Sequence, residues 1–518
     1  MSEVSATSGH APDGSGGQAG ASPDSRRWLI LGVVGIAQLM VVLDATIVNI
    51  ALPSAQRSLG FSTVDRQWVV TAYALAFGSL LLFGGRLGDL IGRKVTFLGG
   101  LLGFAVASAV GGAATSFGML VVARACQGAF GAFLAPAALG VLTTTFTDPK
   151  ERGKAFGVYG AIAGGGGAVG LVLGGVLTEY LNWRWCLYVN LFFAGIAAVG
   201  AVLLLKRLPS AGRPRLDLPG VVVVSASMFC LVYGFSNAAS HNWHTPSTYG
   251  FLAAGVLLLA AFALWQGRAA HPLLPPRVVL DRNRGGAYLA VLVAGAGMFG
   301  IFLFLTYYMQ QTLHYSPVIT GVAFLPMIGM VIVCANMSNI ALLPRFGPKP
   351  LVTLGMLLAA VSLVWLTRIG PDSSYAAAVL GPLMVAGMGF GFVIAPAMNT
   401  GTFGVAPQDA GVASATLNTG QQIGGSIGTS LLNTLAASAT AGYLTSHLVG
   451  GRPAPALVSA ALVHGYTTAF WWSAAIFATG AVVCGSLLRR GPLTRSAATA
   501  PAEAGAPQPA ADPPVIHI

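Results

Sequence analysis

Apolar runs of about twenty residues recur along nearly the whole of this 518-residue chain, and they set what it can fold into. A run of that length crosses roughly 30 Å of hydrocarbon as an α-helix. Lipid offers no partner to an unpaired backbone amide, so each run has to be helical. Hydrophobic residues make up 55% of the chain and charged residues only 8%, which excludes an ordinary soluble domain. The sequence therefore predicts an all-α membrane protein.

Fourteen candidate membrane spans can be placed from these runs. They cover approximately residues 28–51, 67–83, 95–112, 118–142, 155–177, 185–205, 217–236, 248–267, 286–310, 317–341, 350–369, 374–399, 411–437 and 464–488. Short cytoplasmic loops are expected to hold the Lys and Arg residues. With the N-terminus inside, the inner segments hold 21 of the 27 basic residues, Arg124 lies within a span, and the outer loops hold Arg57, Arg66, Arg184, Arg368 and Arg452. The net charge of +12 is therefore explained by topology, which predicts cytoplasmic termini and gives no reason to expect nucleic acid as a partner.

An internal repeat organises the spans. The stretch IGRKVTFLGG, from Ile91 to Gly100, is echoed by FGPKPLVTLG, from Phe346 to Gly355, and further glycines repeat at a similar offset. Both echoes join spans that run in the same direction, which predicts two parallel six-helix halves with a central site. The predicted domains are a disordered tail 1–25, a first bundle 26–206, two inserted spans and a linker 207–284, a second bundle 285–490, and a disordered tail 491–518.

Among the acidic residues, Asp44 alone lies well inside a predicted span. An ionisable side chain at that depth costs at least about 2.5 kcal/mol, so a functional role is expected first, with a purely structural ion pair as the alternative. Arg124 lies at a similar depth in span 4. We expect the two side chains to meet, and Asp44 to load and release a proton as its surroundings change.

The stretch GGRLGDLIGRK, from Gly84 to Lys94, concentrates charge in an otherwise apolar chain. We expect it to be the inner loop between spans 2 and 3, with glycines that permit a tight turn. Asp89 can accept from amides at a helix start or pair with Arg93, four residues later. The pattern predicts an inner latch that breaks when the inner face opens, formed by Gly85, Gly88, Asp89, Gly92, Arg93 and Lys94.

Span 5 carries nine glycines between Gly157 and Gly175. Each glycine inside a helix costs roughly 0.5–1 kcal/mol relative to alanine, so their number needs a reason. Small residues three or four apart let helices approach closely in lipid. The spacing is compatible both with a moving seam and with tight static packing.

Polar and aromatic side chains on several spans could line a central cavity. With few charges among them, they favour a bulky, largely apolar small molecule as the ligand. We expect fewer than half to touch it, since others will join helices together. The candidates are Gln38, Asn49, Tyr73, Gln127, Tyr307, Tyr308, Gln310, Asn336, Asn418, Gln421 and Gln422.

Several sequence motifs together resemble those of the major facilitator superfamily. The 84–94 stretch resembles its signature loop, and LDATIVNIALP, from Leu43 to Pro53, resembles the first-span signature of its fourteen-span drug:proton antiporters. RACQG, from Arg124 to Gly128, resembles the fourth-span motif linked to proton coupling, and WRW with Asn190 is typical of the same branch. Span 5 is similar to the antiporter motif, although Leu171 stands where a proline is common.

The resemblance implies a major facilitator fold of two six-helix bundles plus two extra spans. It implies that Asp44 and Arg124 serve proton coupling, and it assigns four span 5 glycines to the antiporter motif: Gly166, Gly170, Gly174 and Gly175.

The sequence gives no sign of an enzyme. It has no G-x-x-x-x-G-K-[ST] nucleotide loop, and its five cysteines stand singly, which predicts neither a cofactor nor a metal site. We therefore expect a bacterial plasma-membrane antiporter that exports a hydrophobic, drug-like or antibiotic-like molecule in exchange for protons. Two alternatives remain, a proton-coupled importer of a small metabolite and a receptor or channel without transport.

Overall fold

A computed structural model of the chain describes residues 23–62, 65–146, 148–205, 217–241, 245–269, 272–274, 276–405, 410–447 and 454–492. The two predicted tails and the linker after span 6 lie almost entirely outside these ranges.

The described residues form helices joined by short turns. The helices are α1 Pro23–Leu59, α2 Gln67–Ile91, α3 Arg93–Gly112, α4 Phe117–Thr145, α5 Pro149–Tyr180, α6 Trp185–Leu204, α7 Leu218–His241, α8 Pro246–Gln266, α9 Pro276–Val279, α10 Arg282–Tyr307, α11 Pro317–Ala323, α12 Leu325–Met337, α13 Leu343–Phe346, α14 Pro348–Leu366, α15 Tyr375–Ala378, α16 Leu380–Thr402, α17 Ala410–His447 and α18 Pro455–Leu487. Two π-helical turns, Tyr308–Thr312 and Ser338–Leu342, extend α10 and α12. Each of the fourteen predicted spans coincides with helix.

Within the described ranges, eleven stretches are long and apolar enough to cross a membrane. The other three predicted spans are α2, α5 and α17. Within the described residues, α2 contributes a shorter apolar stretch, Gln67–Leu81. The all-helical, multi-pass membrane architecture is confirmed, whereas the count of fourteen spans stays a prediction.

The two halves pack their helices in the same pattern. In the first half α4 packs on α2 and α3, and α1 packs on α5 and α6. In the second half α16 packs on α12 and α14, and α10 packs on α17 and α18. We retain the domains 26–206, 207–284 and 285–490 as a proposal, which this repetition of neighbours supports.

The halves meet along two main seams, α2 against α17 and α5 against α11. The end of the bundle at which α1 ends and α2 begins is predicted to face outward and is called the outer end below. There α1 also contacts α10, and the Tyr307 hydroxyl donates to Gln56 Oε1 at 2.9 Å. Gln310 Nε2 donates to the Ile50 carbonyl at 3.2 Å. The two halves are therefore joined by polar contacts at the outer end.

The inserted helices α7 and α8 form a hairpin. α7 contacts α2 of one half and α17 of the other. At the end of the hairpin that lies away from the turn, Asp217 accepts hydrogen bonds from Trp265 Nε1 at 2.7 Å and from Gln266 Nε2 at 2.6 Å. Burial raises the pKa of Asp217, but hydrogen bonds from Trp265, Gln266 and two backbone amides outweigh it and hold that pKa below its usual value of 3.8. Asp217 thus fastens the start of α7 to the end of α8.

The expected inner loop at residues 84–94 is largely helical instead. α2 continues to Ile91, α3 begins at Arg93, and Gly92 alone separates them, with a φ of 94°. A Cβ on Gly84 would collide with the Ala132 carbonyl of α4, so this glycine serves close helix packing and not a turn. The prediction of a glycine-rich loop was wrong because only Gly92 has the left-handed backbone that favours glycine.

The same joint recurs in the second half. Gly347, which the sequence echo aligns with Gly92, has a φ of 76° between α13 and α14. The repeat therefore extends to the backbone conformation of one aligned residue.

Candidate functional site

Asp44 of α1 is fully buried and paired with Arg124 of α4. Arg124 Nη1 donates to Asp44 Oδ2 at 2.6 Å, and the two side chains are 0% and 2% exposed. Charge-assisted hydrogen bonds of this length are about twice as strong as neutral ones. The structure brings together the two residues that the sequence placed at a similar depth.

Two amides complete the surroundings of the carboxylate. Gln127 Nε2 donates to Asp44 Oδ1 at 3.0 Å, and Asn190 Nδ2 of α6 donates to the same oxygen at 2.8 Å. Ser108 Oγ of α3 accepts from Gln127 at 2.7 Å and from Asn190 at 3.3 Å, which orients both amides. We call Asp44, Arg124, Gln127, Asn190 and Ser108 the carboxylate cluster.

Arg124 also reaches α2. Its Nε donates to the Val69 carbonyl at 3.0 Å, and its guanidinium lies 4.4 Å from the centre of the Tyr73 ring. A buried cation needs such partners because its hydration is lost. Arg124 therefore holds α1, α2 and α4 together at one level.

The local sequence of α4 explains this geometry. Arg124 and Gln127 are three residues apart, so they share one face of the helix. Gly128 follows on the side facing α2, where an added Cβ would lie 2.9 Å from the Tyr73 carbonyl carbon and closer still to its oxygen. The glycine in RACQG thus lets α4 come close enough to α2 for Arg124 to reach the Val69 carbonyl.

Sequence reasoning did not assign Ser108 and Asn190 to this site. Asn190 appeared only as part of the family resemblance, and Ser108 is a small residue with no motif around it. A possible signal was polar character at similar depth on spans 3 and 6, but whether such side chains converge depends on helix rotation.

The cations of the predicted latch bind backbone carbonyls of other helices of the first half. Arg93 Nη1 donates to the Gly140 carbonyl of α4 at 2.8 Å. Lys94 Nζ donates to the carbonyls of Val202, at 3.0 Å, and Leu205 at the end of α6. The position of Lys94 is favourable because the last carbonyls of a helix lack partners within it. The side chain of Asp89 lies outside the described residues, so its expected pairing with Arg93 stays a prediction, as does the latch.

The four motif glycines of α5 lie in close contacts. A Cβ on Gly166 would lie 3.1 Å from Leu39 Cδ1 of α1, and one on Gly174 would lie 2.8 Å from Ile47 Cγ1. A Cβ on Gly170 would collide with the side chain of Thr46, which also belongs to α1. A Cβ on Gly175 would instead lie 2.6 Å from the Pro317 carbonyl oxygen of α11, in the other half. The motif therefore lets α5 pack between α1 and the opposite half.

The predicted cavity residues have varied surroundings. Tyr73 and Gln127 contact or belong to the carboxylate cluster. Gln38 accepts from the Tyr159 hydroxyl of α5 at 2.5 Å. Asn49 and Asn418 each donate to a carbonyl one turn back on their own helix.

Other members of that set lie on the second half. Tyr308 donates to the Gly370 carbonyl at 2.8 Å, and Gln310, like Tyr307, bridges the halves at the outer end. Asn336 is exposed and donates to the Ile332 carbonyl at 2.8 Å. Gln421 and Gln422 are half-buried on α17, where α17 faces Gly295 of α10 and Gly78 of α2. A shared role of these residues around one ligand stays a prediction.

A cavity of about 500 Å³ lies elsewhere, between α2, α4 and α7. Its lining is almost wholly apolar and comprises Trp68, Ala72, Leu75, Ala76, Ser79, Leu80, Val121, Ala125, Ser225, Ala226 and Phe229. None of the predicted cavity residues belongs to this lining.

Comparison with known proteins places this architecture in a family. The family model described as Major Facilitator Superfamily matches residues 34–429. The chain is 50% identical to the puromycin resistance protein pur8 of Streptomyces alboniger, over 90% of this chain and 92% of that protein. It is 41% identical to the cephamycin export protein CmcT of Amycolatopsis lactamdurans, over 79% of this chain and 86% of that protein.

A solved structure has the same fold. It is a bacterial homologue of the human lysosomal transporter Spinster in an inward-facing, unoccupied conformation, with a TM-score of 0.62, 16% identity, and coverage of 90% of this chain and 98% of that one. With the matched family model and close relatives that confer resistance to antibiotics or export them, the chain belongs to the major facilitator superfamily, as a multi-pass membrane transporter and not an enzyme.

Proposed function

We propose that this protein exports a hydrophobic, antibiotic-like small molecule across the plasma membrane of a bacterium in exchange for protons. The relatives named above are a resistance protein and an export protein for antibiotics, which supports drug efflux. The carboxylate cluster supports proton coupling, because it holds a single acid where protonation has a structural consequence.

The ion pair carries the proposal. While Asp44 is ionised, it accepts from Arg124, Gln127 and Asn190. A proton on Asp44 removes the charge that holds Arg124, and each charge-assisted hydrogen bond so weakened is worth about 1.5–3 kcal/mol. Arg124 then has to find other partners or move, since an unpaired buried cation is strongly unfavourable. Proton binding thereby changes the relative stability of conformations, which is the requirement for coupling.

Alternating access supplies the transport step. Opening the outer end requires the contacts of Tyr307 with Gln56 and of Gln310 with the Ile50 carbonyl to break. The glycines of α5 carry no side chains that would interlock with neighbouring helices, so the halves can slide past each other where Gly175 lies against Pro317. Arg93 and Lys94 stay within the first half and keep its inner ends together. We propose that the halves move as units.

The class of substrate is proposed from the side chains of the two halves that could line a central cavity. Their polar groups are mostly amides, hydroxyls and aromatic rings, which suit a bulky ligand with few charges. The termini are proposed to be cytoplasmic, in keeping with the distribution of Lys and Arg.

Inside-out vesicles test the proposal. Vesicles holding the full chain receive fluorescent cationic and neutral drugs or, as a separate probe, radiolabelled puromycin, and a pH gradient with an acidic interior is imposed. We expect uptake that needs the gradient and that disappears in Asp44→Asn. Asp217→Asn serves as the matched control, because this acid directly precedes α7, lies in the α7–α8 hairpin away from the carboxylate cluster, and should leave coupling intact.

The other outcomes count against the proposal. Accumulation with the gradient reversed would favour the importer, and flux without any gradient would favour a channel. Normal gradient-driven uptake by Asp44→Asn would remove Asp44 from the coupling step.

A further inference from the structure

Arg66 is a second buried cation, and it lies at the contact between the halves. It directly precedes α2 and is 4% exposed, although the charge distribution of the sequence assigns it to an outer loop. Its guanidinium lies 3.8 Å from the centre of the Tyr307 ring of α10, and Nη2 donates to Asn433 Oδ1 of α17 at 3.3 Å. It also interacts with the Tyr466 hydroxyl of α18. Arg66 of the first half is therefore held by three helices of the second.

These partners are weak compensation for a buried charge. They are rings, hydroxyls and an amide, and Arg66 Nε has no hydrogen-bond partner among the described residues. A desolvated cation over an aromatic ring is stabilised, yet a buried charge loses far more hydration than such contacts return. Separation of the halves at the outer end would let water reach Arg66. A small displacement of Arg66 should therefore be enough to weaken the contact between the halves at the outer end.

One helical turn connects Arg66 to the carboxylate cluster. The Val69 carbonyl, three residues after Arg66, accepts from Arg124 Nε at 3.0 Å. The same Arg124 donates to Asp44 through Nη1. The chain of contacts thus runs from the Asp44 carboxylate through Arg124 to the first turn of α2, and from there to Tyr307 and Asn433.

We propose that Arg66 is a positioning residue that transmits the state of the Asp44–Arg124 pair to the outer contact between the halves. While the pair is intact, Arg124 fixes the first turn of α2 through the Val69 carbonyl, and Arg66 is held against Tyr307 and Asn433. When the pair breaks, Arg124 no longer fixes that turn, and Arg66 loses its alignment. The outer contact then opens more readily. This inference rests on the proposed role of Asp44 in proton coupling.

Other charged and titratable groups surround both ends of this connection. Beside Asp44 these are Arg124 on α4, Tyr73 on α2 and Cys186 on α6. Beside Arg66 they are Tyr307 on α10, Tyr466 on α18 and, acting on Tyr307, Arg57 on α1. The carboxyl group that changes charge among these is Asp44. The test therefore alters Asp44 by mutation at one fixed pH, so that no other group titrates.

The experiment is a double-mutant cycle on a thiol reporter. Ser430 of α17 is fully buried one turn from Asn433, so Ser430→Cys places a thiol under the outer contact with little change in volume. A membrane-impermeant maleimide, applied from outside to intact cells at constant pH, measures opening by its labelling rate. The same protein without Ser430→Cys gives the background from the native cysteines.

We expect Asp44→Asn and Arg66→Met each to raise the labelling rate about tenfold, the effect of losing one charge-assisted contact. Because both act on one connection, the double variant should label no faster than the faster single variant. Arg184→Met is the matched control. Arg184 lies over Trp183 and donates to the Ala114 carbonyl within the first half, so its effect should multiply with that of Asp44→Asn.

Multiplication of the Asp44→Asn and Arg66→Met effects would overturn the inference, and so would unchanged labelling in Arg66→Met. If Arg66→Met does not accumulate, Arg66→Lys replaces it in the cycle, because it keeps the charge but not the planar group that stacks on Tyr307. The vesicle assay separates the two proposals. Suppose that the two labelling effects multiply, while gradient-dependent uptake is still lost in Asp44→Asn. The role of Arg66 would then be refuted, and proton coupling through Asp44 would stand.

Discussion

The carboxylate of Asp44 shows how far single residues could be predicted. Its depth and that of Arg124 follow from counting residues along two spans, and the structure places the two side chains 2.6 Å apart. The donation from Asn190 did not follow, because it depends on the rotation of α6 about its axis. The burial of Arg66 did not follow either. The sequence places it in an outer loop, and the structure shows it covered by Tyr307 of α10 and Asn433 of α17.

Removing the Asn190 donor should weaken gradient-driven transport. Asn190→Ala takes away one of the hydrogen bonds that Asp44 accepts. The Asp44–Arg124 pair is then held less firmly, so the initial rate of drug uptake should fall by about tenfold. The measurement is initial uptake by inside-out vesicles at one fixed pH gradient. Asn237→Ala is the control, because Asn237 donates to Ser247 within the α7–α8 hairpin. Unchanged uptake in Asn190→Ala would contradict the coupling role of the cluster.

At the scale of elements, helix positions followed from hydropathy, but glycine function did not. The sequence does not distinguish Gly84, packed against the Ala132 carbonyl, from Gly92, which turns the chain. The same composition therefore suggested a loop where the structure continues α2. In α5 the spacing indicated close packing, and only the structure shows that Gly174 faces α1 while Gly175 faces α11.

A methyl group on Gly175 should disturb the seam between the halves. The Cβ of Gly175→Ala would lie 2.6 Å from the Pro317 carbonyl oxygen and 2.7 Å from Val318 Cα, and both are backbone atoms that cannot turn away. We expect at least about a tenfold loss of drug uptake, since the outer-closed arrangement is no longer reached. Gly165→Ala is the control, because its Cβ meets nothing within 4 Å. It should transport normally and unfold at a slightly higher temperature, as the helix gains about 0.5–1 kcal/mol. Equal activity of the two variants would argue against the seam.

The attachment of α7 to α8 should depend on pH in a defined direction. The pKa of Asp217 lies below its usual value of 3.8, so ionised Asp217 stabilises the hairpin above that value and the stabilisation is lost as pH falls through the lower, folded-state pKa. We expect a thermal midpoint that is insensitive to this group from pH 7 to 5 and that drops in more acidic solution. Asp217→Asn should remove this acid-dependent part of the drop. A wild-type curve and a variant curve that stay parallel down to the most acidic pH tested would show that Asp217 does not fasten the hairpin.

At the scale of the molecule, the repeat in sequence anticipated the repeat in packing. The offset between the echoes assigned α1 to the counterpart of α10 and α4 to that of α16, and both pairs have matching neighbours. The contact between the halves could not be derived in this way, because an internal repeat describes each half and not their relative placement. Tyr307 and Gln56, which meet at that contact, belong to no repeated motif.

Linking the halves at the outer end should stop transport. With Gln56→Cys and Tyr307→Cys, a short bifunctional thiol reagent joins two positions whose side chains are hydrogen-bonded at 2.9 Å. We expect cross-linked protein to lose drug uptake by about tenfold or more, since alternating access needs this contact to open. A monofunctional reagent controls for the substitutions. Asn237→Cys with Ser247→Cys, hydrogen-bonded at 2.8 Å within the α7–α8 hairpin, should be linked without loss. Transport that survives the first link would contradict movement at this end.

The left-handed backbone at Gly92 and Gly347 bears on the origin of the chain. Both residues make the same joint at matching places in the two halves. Of the two residues that follow, Arg93 corresponds to Pro348 in the second half, whereas Lys94 is retained as Lys349, so the glycine and one of the two cations are common to both halves. A duplication of one ancestral six-helix gene accounts for this pattern. The two halves now differ in their functional side chains, with the acid Asp44 in the first and the ring of Tyr307 in the second, but neither half could replace its glycine with an L-amino acid without strain.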